Sequence, residues 1–147
     1  MLSAPTMPRY ATAALVTVLV SAWLACSNSL GFDPIVACSD AQTVTVSVET
    51  GTTPRFTWQP TCGMSSLQVF PDTGSSGGWV VYSGAHAAEN PLPSGIRYGR
   101  LPPDGIAPGG AHPLVHGVSY HVVVYRWIGA PGGPGSLFER GAADFSP

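Results

Sequence analysis

Short stretches of the chain alternate apolar and polar residues with a period of two, and turn-forming residues interrupt the pattern at close intervals. In "QTVTVSVE", Gln42 to Glu49, the residues Val44, Val46 and Val48 fall on one side and Thr43, Thr45 and Ser47 on the other. Successive side chains of a strand point to opposite faces, so this segment predicts a strand with one buried face. "PRFTWQP" puts Phe56 and Trp58 on one side, "SSLQVFP" puts Leu67 with Val69, and "SGIRYGRLP" puts Ile96 with Tyr98. "GWVVYSG" is short and aromatic, "GVSYHVVVYRWIG" is the longest segment, and "SLFERGAADFSP" follows it. Gly, Pro, Asp, Asn and Ser separate these segments, about seven in all, and together they predict an all-β domain. No stretch beyond the first 26 residues keeps a helical period, and there is no internal repeat.

Seven short strands with this patterning are the expectation for an immunoglobulin-like sandwich. One stretch carries more. "PLVHGVSYHVVV" contains Leu114, Gly117, Tyr120, Val122 and Val124, and "RFTWQP" contains Trp58. The first resembles the corner and sixth strand of fibronectin type III domains, usually written L-x-P-G-T-x-Y-x-V-x-V, and Trp58 resembles that family's core tryptophan. The resemblance covers most of residues 40–147 and implies a single fibronectin type III-like sandwich with protein or glycan contacts. The chain departs from the pattern at His116, Val118 and Arg126, and its stretch from Pro91 to Pro113 is longer than the family's. The residues also speak for themselves. Tyr120 is expected to bury its ring and send its hydroxyl back to an upstream backbone group. Gly117 supplies a turn conformation that a Cβ resists. With Tyr120, Val122 and Val124 inward, His121, Val123, Tyr125 and Trp127 point outward as a candidate binding face. The alternatives are a register shift at a bulge, or cover by neighbouring chain.

Composition narrows the function classes. The chain has 147 residues, enough for one domain with a core. Charged residues make up only 10%, against about 25% in an average protein. The 18 Gly and 15 Pro have no fixed period, which excludes a collagen-like repeat, and 44% apolar content opposes wholesale disorder. There is no lysine, and the six arginines are dispersed. Lysine chemistry is therefore excluded, and no basic patch exists to neutralise a phosphate backbone, so no nucleic-acid partner is expected.

The first residues set an expected address. Arg9 precedes an apolar run from Ala11 to Ala25 that ends "WLAC". Fifteen helical residues at ~1.5 Å each reach only ~22 Å, short of the ~30 Å hydrocarbon core, as in a secretory signal. Ala25-Cys26 resembles the lipobox of bacterial lipoproteins, with Trp23 in place of its usual aliphatic residue. The resemblance implies a signal peptide over 1–25, acylation of Cys26, a tether over 26–39 and the domain over 40–147. It also implies a bacterial envelope location, on the outer membrane or periplasmic face, with the membrane reached through the lipid. The other reading is ordinary cleavage nearby. If Cys26 carries lipid, Cys38 and Cys62 remain as a disulfide pair, which export permits. Without residues 1–25, five arginines face eight acids, a net −3.

"FPDTGSSGGWVVYS", Phe70 to Ser83, resembles the catalytic turn of aspartic proteases. That chemistry needs two carboxylates sharing a proton, and this chain has one such tripeptide, at Asp72. A homodimer is the form that fits the length. Pro-Asp-Thr-Gly is equally good β-turn chemistry between two strands. His112 and His116 have i, i+4 spacing, but Pro113 and Gly117 oppose a helix, so no metal site is expected there. No G-x-S-x-G elbow is present, and "GAPGGPGS" opens no helix to cradle a phosphate. The expectation is a non-catalytic binding or structural module without a cofactor, contacting protein or glycan. The alternative is a homodimeric aspartic protease using Asp72.

Overall fold

The computed structural model describes residues 31–73, 78–130 and 133–147. The expected signal peptide and Cys26 lie outside them, as do Gly74 to Gly77 of the D-T-G stretch. In chain order the strands are β1 (Thr45–Glu49), β2 (Arg55–Gln59), β3 (Ser66–Pro71), β4 (Trp79–Tyr82), β5 (Ile96–Arg97), β6 (Tyr120–Gly129) and β7 (Gly135–Phe145). A 3-10 helix, Gly84–Glu89, joins β4 to β5. All pairing between strands is antiparallel, in two sheets of order β1-β2-β5 and β4-β3-β6-β7. The expected all-β class is what the described residues adopt.

The alternation read from the sequence decides which side chains enter the core. Val44 and Val46 are buried and Val48 packs against the core. Across the ladder Val46 stands opposite Trp58 and Val48 opposite Phe56, so each buried pair lies on one face. Leu67 and Val69 of β3, Val81 of β4, and Val122 and Val124 of β6 belong to the same buried cluster. The two sheets thus share one hydrophobic core. Around Phe56 that core is aromatic. Phe145 meets Phe56 edge-on at 5.5 Å and stacks on Tyr120 at 5.6 Å, and Trp79 lies 4.9 Å from Tyr98.

Two departures from the expected plan concern the ends of the domain. Residues 32–39, expected as tether, belong to the compact unit Phe32–Pro147. Phe32 and Cys38 pack against the core, the Asp33 amide donates to the Ser94 carbonyl at 2.8 Å, and the Val36 amide donates to Thr61 at 3.0 Å. Ser94 Oγ closes the arrangement on Asp33 Oδ2 at 2.6 Å. These bonds give the segment backbone and side-chain partners, which its composition did not announce. The second departure is a bulge in the β6–β7 ladder. Val124 pairs with Gly141 and Tyr125 with Glu139, leaving Arg140 as the extra residue on β7. The β3–β6 register runs unbroken through the same region, so β6 keeps its alternation.

Cys38 and Cys62 are joined by a disulfide, with Cα atoms 5.6 Å apart. This bridge ties the segment before β1 to the chain after β2. Beside it, the Trp58 indole N–H donates to the Cys62 carbonyl at 2.8 Å, so the buried indole finds the polar partner that its nitrogen requires. Gly63 follows with no room for a side chain, because a Cβ there would lie 2.1 Å from the Asn90 carbonyl oxygen.

Candidate functional site

The corner before β6 is built as the residues require. Tyr120 is buried, and its hydroxyl accepts a hydrogen bond from the Val115 amide at 2.9 Å. Gly117, at φ +78°, turns the chain between them, and the Val118 amide donates back to the Val115 carbonyl at 3.2 Å. The ring is thus anchored in the core while its oxygen holds the loop. Replacing Tyr120 with phenylalanine keeps the ring but orphans the Val115 amide. The expected cost is about 1 kcal/mol, read as a lowered urea midpoint with faster hydrogen exchange at Val115.

β6 then presents its two faces. Val122 and Val124 enter the shared core, and His121, Val123, Tyr125 and Trp127 fall on the opposite face. Exposure is uneven along this face. Val123 is only 2% exposed although it lies outside the core cluster. Its strand is central, and Gln68 of β3 and Ala142 of β7 flank it on the same face. Trp127 is half-buried, with its ring so close over Gly135 that a Cβ there would lie 2.5 Å from it. Exposed apolar side chains of this face lie at both margins of the sheet, with Leu137 opposite Trp127 on β7 and three more toward the β4 edge. Phe70, Val80 and Tyr82 are 39%, 40% and 37% exposed.

Register arranges the face in rows. Phe70 stands opposite His121, and their rings are 5.3 Å apart. Gln68 stands between Val80 and Val123, and Ser66 between Tyr82 and Tyr125. His121 Nδ1 lies 2.5 Å from Asp144 Oδ1 on β7. Burial pushes the Tyr125 hydroxyl above its ordinary pKa, and the negative charge of Glu139 adds to the effect. The face is therefore aromatic at its margins and carries a carboxamide at its centre.

Arg126, where the fibronectin pattern has a small residue, reaches the opposite way. Its Nη2 donates to the Cys38 carbonyl at 3.1 Å, and its Nε lies 3.9 Å from Asp40. It braces the disulfide segment and, with Ile35, Val36, Gly63 and Asn90, lines an open groove of about 310 Å³.

Asn90 is a structural residue that sequence reasoning missed. It sits in the left-handed region at φ 50°, ending the 3-10 helix. Its Oδ1 accepts the Trp127 amide at 2.7 Å and its Nδ2 donates to the Trp127 carbonyl at 3.1 Å. The side-chain amide thus pairs with β6 as a neighbouring strand would, where β3 has ended. The only sequence signal is an Asn before Pro91, which also marks any turn. Asn90→Gly keeps the backbone conformation and removes the amide. It is expected to cost about 1–3 kcal/mol and to abolish hydrogen-exchange protection at Trp127.

The D-T-G stretch begins at the end of β3. Pro71 is the last β3 residue, opposite Tyr120, and the Asp72 amide donates to the Ser119 carbonyl at 3.0 Å. Asp72 and Thr73 are exposed in the connection to β4. His112 and His116 lie outside helix. The His112 carbonyl accepts the Tyr98 hydroxyl at 2.8 Å, and His116 Nδ1 lies 2.7 Å from the Pro147 oxygen. Among the described residues no group of three His, Cys, Asp or Glu side chains is placed to hold a metal ion. Compared with known protein families, with curated proteins and with solved structures, the chain has no significant match in any of the three.

Proposed function

We propose that the chain is a non-catalytic binding module of the fibronectin type III-like class, lipid-anchored through Cys26 at a bacterial envelope. The strand order β1-β2-β5 and β4-β3-β6-β7 and the Tyr120 corner support the sandwich reading. The observation that carries the function is the outer face of the four-stranded sheet, where Phe70, Val80 and Tyr82 stay exposed around Gln68. The module contacts protein or glycan through that face. Large apolar groups left in water beside unused polar groups are the ordinary chemistry of a recognition surface. The anchor reading rests on Ala25-Cys26 and the short apolar run before it. The rival remains a homodimeric aspartic protease using Asp72.

Intact-mass measurement of the mature protein checks the anchor. A mass beginning at an acylated Cys26 supports it, and a mass without lipid removes it. Proteolysis at acid pH, with pepstatin as control, separates module from enzyme. No cleavage by wild type agrees with the module. Pepstatin-sensitive cleavage abolished by Asp72→Asn establishes the enzyme instead.

A further inference from the structure

We infer that the outer face of β4, β3 and β6 binds a neutral, linear oligosaccharide a few sugar units long. The inference rests on the binding-face reading and names the ligand class for it. Three observations select that class. The first is the placement of the rings. Tyr82 and Tyr125 stand on either side of Ser66, two strand spacings apart, or about 10 Å between backbones. Phe70 and His121 form a second aromatic row four residues along β3 from Ser66, about 14 Å away. The C–H face of a pyranose ring is apolar and weakly positive, and it lies flat on the negative face of an aromatic ring.

The second observation is the polar group between the rows. Gln68 is half-buried, and its carboxamide has no hydrogen-bond partner among the described residues. It offers two donors and an acceptor, which match the vicinal hydroxyls of a sugar. The third is charge and size together. The charged groups of the face are His121, Asp144 and Glu139. The arginines of the described residues lie elsewhere: Arg126 reaches Cys38, Arg140 lies over the Phe138 ring, Arg55 and Arg97 are on the other sheet, and Arg100 follows β5 with its amide on the Arg97 carbonyl. A face so short of cations repels polyanions and accepts a neutral chain. Its rows span on the order of 140 Å² between backbones, well below the ~800 Å² each partner gives to a stable protein complex.

The test is affinity electrophoresis of the full-length chain in native gels containing hydroxyethyl cellulose, glucomannan or dextran, with alginate as the acidic control. Retardation by at least one neutral polysaccharide and not by alginate is expected. Tyr82→Ala and Gln68→Ala should each raise the apparent Kd by about tenfold, with the thermal midpoint unchanged. Leu101→Ala, an exposed apolar change outside this face, should leave retardation as in wild type. Retardation by alginate alone, or neutral retardation indifferent to Tyr82→Ala and Gln68→Ala, overturns the inference. Retardation by none of the gels overturns it as well, and envelope-protein cross-linking then tells the two readings apart. Cross-links lost in Tyr82→Ala keep the binding face and discard the saccharide. The absence of both signals discards the face too.

Discussion

Replacing Trp58 with alanine is expected to remove about 4–8 kcal/mol of stability, a large part of the 5–15 kcal/mol typical of a domain. The side chain is fully buried between the sheets, opposite Val46 on β1. Truncation leaves a cavity of indole size in a close-packed interior, worth about 3–5 kcal/mol by itself. It also orphans the Cys62 carbonyl, which accepts the indole N–H at 2.8 Å. An unsatisfied buried acceptor adds about 1–3 kcal/mol. Trp58→Phe separates the two effects, because a six-membered ring fills most of the space and offers no donor. Urea denaturation measures both variants, and the midpoints should fall in the order wild type, Trp58→Phe, Trp58→Ala. Equal midpoints for wild type and Trp58→Phe would remove the hydrogen bond from the argument.

Loss of the Cys38–Cys62 bridge is expected to lower stability by about 3.5 kcal/mol, from the chain entropy released when a 24-residue separation is no longer closed. For a unit of this size that corresponds to a fall in Tm on the order of 10–15 °C. The Cys38→Ala, Cys62→Ala double variant and reduction by a phosphine should agree, since both open the same loop. The segment should detach before the sheets do. Without the bridge it is held to the domain by a small set of contacts. The main ones are the Asp33 and Val36 amides, Thr61 Oγ1 on the Pro34 carbonyl, and the Asp33–Arg55 pair at 3.3 Å. Hydrogen exchange at Val36 should accelerate in the double variant while Val122 and Val124 stay protected. The bridge and Trp58 share the Cys62 residue, so their effects should not add. A double-mutant cycle with Trp58→Phe measures that coupling.

The placement of the contact surface depends on an element that no short window contains. His121, Val123, Tyr125 and Trp127 do share a face of β6, as their spacing requires. Spacing says nothing of how many strands lie beside them. β3 and β7 flank β6, so Val123 is covered, while β4 lies at the sheet edge and leaves Val80 and Tyr82 open. The exposed part of the candidate face therefore extends from β6 across β3 to β4, onto Phe70, Val80 and Tyr82.

Read alone, the amino-acid sequence determines the period-two segments, the burial of Trp58 and Tyr120 and the turn at Gly117. Each follows from local sterics and the size of an apolar side chain, which act over a few residues. The order in which the strands pair, the Asn90 amide standing in for a strand beside Trp127, and the docking of residues 32–38 were decided by the tertiary structure. Each joins groups far apart in the chain, 37 residues in the case of Asn90. Such contacts form only after the intervening loops have closed, so no local pattern records them.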